Sequence, residues 1–244
     1  MTKFYALVRG ELLRLKRYNL FAASLLVSGL WVAILHLVNI DDVSEIVPQL
    51  IFLDVTTMAV LLIGVTFIYE REEGTIRTLL VSPVSKSEYL LAKLLSHIIP
   101  SIISFTIMFI YSKIFKSIDI NYLYMLGSLI LVALFHSLVG LLLTYFSKNF
   151  TDLVMGIMKL FFVMVVPVIL DQFNIVNNAL FKRLVYIIPT KSALMLIMGP
   201  TGMVGERDLF ISIAYIITAS LILYYLIWKK FDSYALREGV NGNV

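Results

Sequence analysis

The chain has 244 residues, 60% of them hydrophobic and 15% charged, against roughly 45–50% and about 25% in a soluble domain. Six membrane-spanning helices of about 20 residues would take roughly half of it, and the remaining loops are too short for an independent catalytic domain, so an ordinary soluble enzyme is excluded. There is no cysteine, hence no disulfide, thiolate nucleophile or cysteine-based metal site. The formal charge of +4 comes from bases beside apolar runs, where they mark membrane topology and do not point to a nucleic-acid partner.

The first element is 3–17. At 100° per residue, Phe4, Tyr5, Val8, Leu12 and Leu15 share one face, with Lys3, Arg9, Arg14, Lys16 and Arg17 opposite and Leu13 out of pattern. The spacing predicts an amphipathic helix in the membrane interface with its bases near anionic headgroups. A plain topogenic leader is the simpler reading of the same bases. Apolar runs follow at 20–38, 50–69, 94–115, 123–146, 153–170 and 209–228, each near or above spanning length. The first is not a cleavable signal, because its exit His36-Leu37-Val38-Asn39 lacks a small-x-small pattern. The expected architecture is an all-α polytopic membrane protein with six transmembrane helices in a single transmembrane domain over 1–244.

Bases set the expected orientation. Lys3, Arg9, Arg14, Lys16 and Arg17 precede the first span, whereas the loop 39–49 has acids and no base. Arg71, Arg77, Lys86 and Lys93 lie between spans two and three, and Lys229, Lys230 and Arg237 follow span six. The positive-inside rule puts both termini in the cytoplasm of a multi-pass cell-membrane protein. Lys182, Arg183, Lys191 and Arg207 argue the other way, but the asymmetry around the first span outweighs them.

The loop 70–93 carries the most information. It opens Glu70-Arg71-Glu72-Glu73-Gly74-Thr75, and a short amphipathic helix fits 75–81 with Ile76, Leu79 and Leu80 on one side. Pro83 ends that helix, because proline disfavours helix at the preceding residue and has no N–H to donate. Ser85 and Glu88 have capping-box spacing, so a new helix starts near Lys86 and runs into span three, where Pro100 is placed to kink it. Any tight loop needs charges, a glycine and a cap, but that need does not account for their combination in one loop.

At this loop the chain resembles the membrane subunit of ABC-2 type transporters. The strings Glu70-Arg71-Glu72-Glu73-Gly74-Thr75 and Leu79-Leu80-Val81-Ser82-Pro83-Val84-Ser85 are similar to the segment that follows the second span in that family. A weaker similarity lies at Ile187-Ile188-Pro189-Thr190-Lys191-Ser192-Ala193-Leu194. The resemblance implies a cytoplasmic coupling helix between spans two and three and a re-entrant helical segment between spans five and six. It also implies a separate ABC ATPase subunit as partner, with Glu70, Arg71, Glu72, Gly74, Thr75, Arg77 and Pro83 contacting that subunit or fixing the loop. A second permease copy or a sister permease would complete a dimer, and the direction implied is export. The chain has no G-x-x-x-x-G-K-[ST] phosphate loop: the glycine cluster 199–205 is followed by Glu206. ATP and Mg are therefore expected on the partner, with no cofactor on this chain and no enzyme activity of its own.

Among other residues, Asp54 falls inside span two, either on a substrate path or in a helix–helix hydrogen bond. Lys159 can snorkel, and its depth in span five makes an ion pair with Asp54 unexpected. His36, His97 and His136 are scattered without metal-ligand spacing. Phe161, Phe162, Met164, Phe173 and Trp31 suit either a greasy path or plain packing, and Asp41, Asp42 and Glu45 suit a solvated outer loop. Two competing functions are weighed. A lipid-acting membrane enzyme needs acids, histidines or serines gathered at one depth, which the spacing does not supply. A non-transporting immunity or scaffold protein on the same fold would act independently of ATP.

Overall fold

The computed structural model describes residues 3–80 and 82–237. In chain order the helices are α1 (Lys3–Arg17), α2 (Leu20–Leu37), α3 (Ile46–Glu72), α4 (Thr75–Leu80), α5 (Lys86–Phe115) and α6 (Tyr122–Thr144). They continue with α7 (Phe150–Leu160), α8 (Val166–Gln172), α9 (Ala179–Val185), α10 (Pro189–Met198) and α11 (Glu206–Arg237). The described residues hold no strand, only an isolated bridge between Asp42 and Ser117. Six helical stretches are long and apolar enough to cross a membrane, with α7 and α8 forming one of them, Phe150–Gln172. The chain is thus an all-helical, multi-pass membrane protein.

Because the spans alternate in direction, α1, α4, the α6–α7 turn and the end of α11 gather at one end, called proximal here. The loop 38–45, the loop 116–121, α9 and α10 gather at the distal end. Helix α3 is the central post: 78% of its spanning window is buried, against 22% for α2, 17% for α7–α8 and 22% for α11. Those three helices therefore present most of their surface to lipid or to other subunits. Helix α3 packs tightest on α6, at Gly140. A Cβ there would meet Val60 O at 2.7 Å and Ile63 Cγ2 at 2.7 Å, so only glycine allows the two backbones this approach.

Local sequence explains most helix boundaries. Asn121, Asn149 and Asn178 cap α6, α7 and α9 with their side chains. Ser85 and Glu88 form the full capping box of α5, which then runs unbroken through Pro100. The fifth span departs from a simple helix. Residues Phe161–Val165 form a π-helical turn, and the Val166 N–H donates to Phe161 O. Pro167 explains this, since its ring crowds the preceding turn and it has no N–H for the α-helical ladder.

At the distal end Asp41, Asp42 and Glu45 are exposed, as a solvated loop requires, while the backbone of that loop is tied down. The Val43 N–H donates to Ser117 O (2.9 Å), the Ser117 N–H donates to Asp41 O (2.8 Å), and Lys116 Nζ donates to Val38 O and Ile40 O. Asp42 accepts from the Ser44 hydroxyl and backbone N–H, which holds its carboxyl below the usual carboxylate range. The backbone pairing that fastens this loop to 116–121 is invisible in side-chain composition. Between spans five and six, Ala179–Val185 and Pro189–Thr201 meet at 85°.

Candidate functional site: the proximal junction

The loop singled out by sequence is the meeting point of five helices. Glu70, in the last turn of α3, has its side chain buried and accepts from Arg14 Nη1 (2.6 Å), Lys93 Nζ (2.8 Å) and the Tyr89 hydroxyl. Glu11 of α1 completes the cluster, accepting from Lys93 Nζ (2.9 Å) and Arg14 Nη1 (2.7 Å). Two carboxylates and two cations thus compensate each other inside the protein. That balance is what makes burial of Glu11, Glu70 and Lys93 tolerable, with Arg14 partly exposed at the edge of the cluster. Lys93 also lies over the Tyr89 ring at 5.4 Å and the Phe67 ring at 5.7 Å. Burial alone would lower the Arg14 pKa, but Glu70 and then Glu11 outweigh it and hold the guanidinium above its ordinary value.

Arg71 points the other way. It donates to Ser147 O (2.7 Å), to Lys148 O and to the Tyr234 hydroxyl (3.0 Å), satisfying carbonyls just past the end of α6 and holding α11. Tyr234 stacks on both Phe67 (5.3 Å) and Tyr145 (4.6 Å), whose rings also meet each other at 6.1 Å. Adjacent residues therefore divide the work: Glu70 grips α1 and α5, and Arg71 grips the α6–α7 turn and α11. On the α1–α2 linker, Tyr18 packs edge-on to Tyr69 at 5.0 Å, and burial together with the neighbouring Glu73 pushes its phenol up to about 12.

What remains outward is the short helix and its flanks. Glu72, Glu73, Thr78 and Pro83 are exposed, and Thr75 opens α4. Gly74 has φ +70° with open space around it, a left-handed conformation that suits glycine. Ile76 is 1% exposed and packs with Phe67, Tyr89, Phe231 and Ala235, pinning α4 to the bundle. Arg77 lies on α4, its side chain outside the described part, and Val81 lies outside the described residues. A cleft of about 300 Å³ separates α4 from α1, lined by Gly10, Glu11, Arg14, Thr75 and Thr78 among others.

The structure corrects the sequence reading of α1. Arg14 does not lie on the outer face with the other bases but turns inward, and Glu11, 3% exposed, lies beside Leu15 on the buried face. Tyr5 sits at the margin, 52% exposed, and Leu13, 57% exposed, is flanked by the outward Arg9, Lys16 and Arg17. The sequence carries a signal for Glu11: at 100° per residue it falls at the edge of the apolar stripe of Phe4, Val8 and Leu15, about 20° from Phe4. Lys93 reads from sequence as a topological base, and nothing local marks it as buried.

Asp54 is buried in α3 and accepts from Trp31 Nε1 of α2 at 2.9 Å, a hydrogen bond between helices. Lys159 is exposed on α7. The histidines are apart: His36 meets Tyr111, His97 lies between Thr66 and Lys93 O, and His136 meets Val132 O. Among the described residues no group of three His, Cys, Asp or Glu could hold a metal. Sequence reasoning also missed a second buried ion pair, Lys191 of α10 with Asp171 of α8 at 2.7 Å. Beside it the Thr190 hydroxyl donates to Met164 O, in the π-helical turn of span five.

The chain matches none of the curated proteins. The family model of the ABC-2 type transporter matches residues 2–199, covering α1, the junction and the first five spans. With six spanning helices, a loop of the expected pattern and no nucleotide-binding motif, the chain belongs to the ABC-2 type transporter family, as a membrane-embedded transport permease.

Proposed function

We propose that the chain is the membrane-spanning permease subunit of an ATP-driven exporter, forming the translocation path and coupling to a separate ABC ATPase subunit that holds ATP and Mg. The observation that carries this reading is the division of labour at the junction. Glu70 and Arg71 are anchors that tie the loop to four other parts of the bundle. Glu72, Gly74, Thr75, Arg77 and Pro83 form the docking part, on or beside the outward-facing α4. A partner pushing α4 would move α3, α5 and α1 together, because their charges share one compensated cluster. The cleft between α4 and α1 leaves room for such a shift. ATP would bias the membrane equilibrium only as far as the partner's closed state prefers one arrangement of these helices.

In this reading the proximal end, with both termini, is cytoplasmic, and α1 lies in the inner interface. The bent α9–α10 segment dips back from the outer surface, with its polar anchors Thr190 and Lys191 bonded to span five. The exposed faces of α2 and α7–α8 suit pairing with a second permease copy or a sister permease. Asp54, hydrogen-bonded to Trp31, serves helix packing next to the path.

The absence of cysteine makes the test clean. A single Thr78→Cys variant, in membranes that carry the whole transporter, is expected to form a cross-link to an ATP-hydrolysing subunit with a short bifunctional reagent, at a yield that changes when ATP is added. No cross-linked subunit from Thr78→Cys, with one from a distal control such as Ile175→Cys, would refute the docking role of α4.

A further inference from the structure

A groove of about 440 Å³ lies on the side of the bundle where α7 and α11 flank α6. Its floor is Phe135, Val139, Leu142 and Leu143 of α6 with Phe146 in the turn just past it, and Leu160, Met164 and one face of α11 form the walls. The volume lies within the range of sites that hold organic ligands. From Phe135 to Leu143 the helical floor runs roughly 12 Å at 1.5 Å per residue, and with Phe146 beyond it approaches the depth of one leaflet of a ~30 Å hydrocarbon core.

Toward its top the groove has most of its polar groups bonded internally, with the Thr218 hydroxyl of α11 also on its lining. Pro189 lines it. The Tyr215 hydroxyl donates to Ile187 O at 2.6 Å, and Met164 O accepts from the Thr190 hydroxyl. An apolar chain fits there best, since a polar group would lose its water and find little more than the Thr218 hydroxyl as a partner. The bottom differs. Phe146 is 68% exposed, with Lys230 Nζ at 5.3 Å from its ring centroid. Lys148 and Lys229 are exposed nearby in sequence. Of the acids in this region, Asp232 is paired with Lys86 and Asp152 accepts the Lys148 N–H.

We propose that this groove is a binding site for one membrane phospholipid with an anionic headgroup, its acyl chain along α6 and its phosphate beside Lys230 at the proximal surface. The ligand follows from the gradient along the groove, lined by apolar side chains except the hydroxyls of Tyr215 and Thr218 for about one leaflet's depth, and then basic at headgroup level. Its chain would touch Met164, Pro189 and Tyr215, the residues around which the bent distal segment is fastened.

The test is native mass spectrometry of the purified full-length chain, equilibrated with phosphatidylglycerol and phosphatidylcholine of matched acyl chains. The expected result is one retained phosphatidylglycerol per chain, preferred over phosphatidylcholine. Lys230→Gln, at the exposed rim, should cut that preference about fivefold, the effect of one base at a membrane surface. Ala219→Phe, which fills the groove from α11, should remove the retained lipid of either kind. Equal lipid retention in wild type and Ala219→Phe would overturn the proposal. So would an unchanged preference in Lys230→Gln, or a loss of lipid accompanied by a change in oligomeric state, which would make the groove a subunit contact. Should Ala219→Phe not yield folded protein, Lys230→Gln decides alone.

Discussion

Replacing Glu70 by Gln keeps the shape of the side chain and removes one charge from the buried cluster at the proximal junction. Arg14 and Lys93 then face Glu11 alone, leaving one positive charge uncompensated. Breaking a buried pair costs roughly 3–5 kcal/mol, and Glu11, which stays at 2.9 Å from Lys93 and 2.7 Å from Arg14, places the cost at the lower end. About 3 kcal/mol corresponds to a fall in Tm of roughly 6–12 °C for a chain of this size on the soluble-protein scale. Lys93→Met errs in the opposite sense, leaving one negative charge in excess, and should cost a similar amount. The double variant retains the Glu11–Arg14 pair, balanced again, so its loss should be about 3 kcal/mol instead of the additive 6, a coupling near the top of the usual range. Thermal unfolding in detergent, followed through the fluorescence of Trp31 and Trp228, measures all three. Additive losses, or single variants that melt with wild type, would refute a mutually compensated cluster.

Three other outcomes test the packing and the distal anchor. Gly140→Ala, whose new methyl would lie 2.7 Å from Val60 O, should cost about 1–3 kcal/mol by overpacking, while Gly127→Ala, with nothing within 4 Å, should leave Tm unchanged or raised. Equal Tm values would remove the close α3–α6 approach as a structural determinant. Lys191→Met strands the buried Asp171 and should destabilise the chain by about 3 kcal/mol, with most of that loss recovered in Asp171→Leu/Lys191→Met, both read as thermal shifts. The same loss in single and double variants would show that the stranded charge is not the source of the cost. Gly74→Ala places a side chain at φ +70° and should cost about 1–2 kcal/mol even though the space around it is open, as thermal shift would show.

The spans were legible because lipid demands long apolar runs, and the Ser85–Glu88 box and Pro83 were legible because caps and breakers act within a few residues. Helix α3 begins at Ile46, ahead of the apolar run at 50, and α11 continues beyond 228 to Arg237, because helix outlasts apolarity at both ends. The junction was legible only as a list of residues. What each does depends on partners far along the chain: Arg14 and Glu70 are 56 residues apart, Lys93 and Glu11 82, and Arg71 and Tyr234 163. Arg14 reads as an outer-face base because a base near a membrane is usually solvated; Glu11 stands one turn before it on the same helix, but only the fold supplies Glu70. The π-helical turn at Phe161–Val165 follows from Pro167, but proline alone equally permits a kink. The pairing of Lys191 with Asp171 required knowing that the chain reverses between them.

The most direct measurement of the proposed coupling is co-purification of the tagged chain from native membranes, with and without Glu72→Lys, followed by an ATPase assay. Glu72 is exposed and lies beside the anchors without belonging to the buried cluster, so the variant should change stability by no more than about 0.5 kcal/mol. The expected result is a roughly stoichiometric ATP-hydrolysing subunit with wild type and much less of it with Glu72→Lys, at equal membrane insertion. Absence of any such subunit from folded wild-type chain, or equal recovery and activity with the variant, would contradict the docking of an ATPase on this loop.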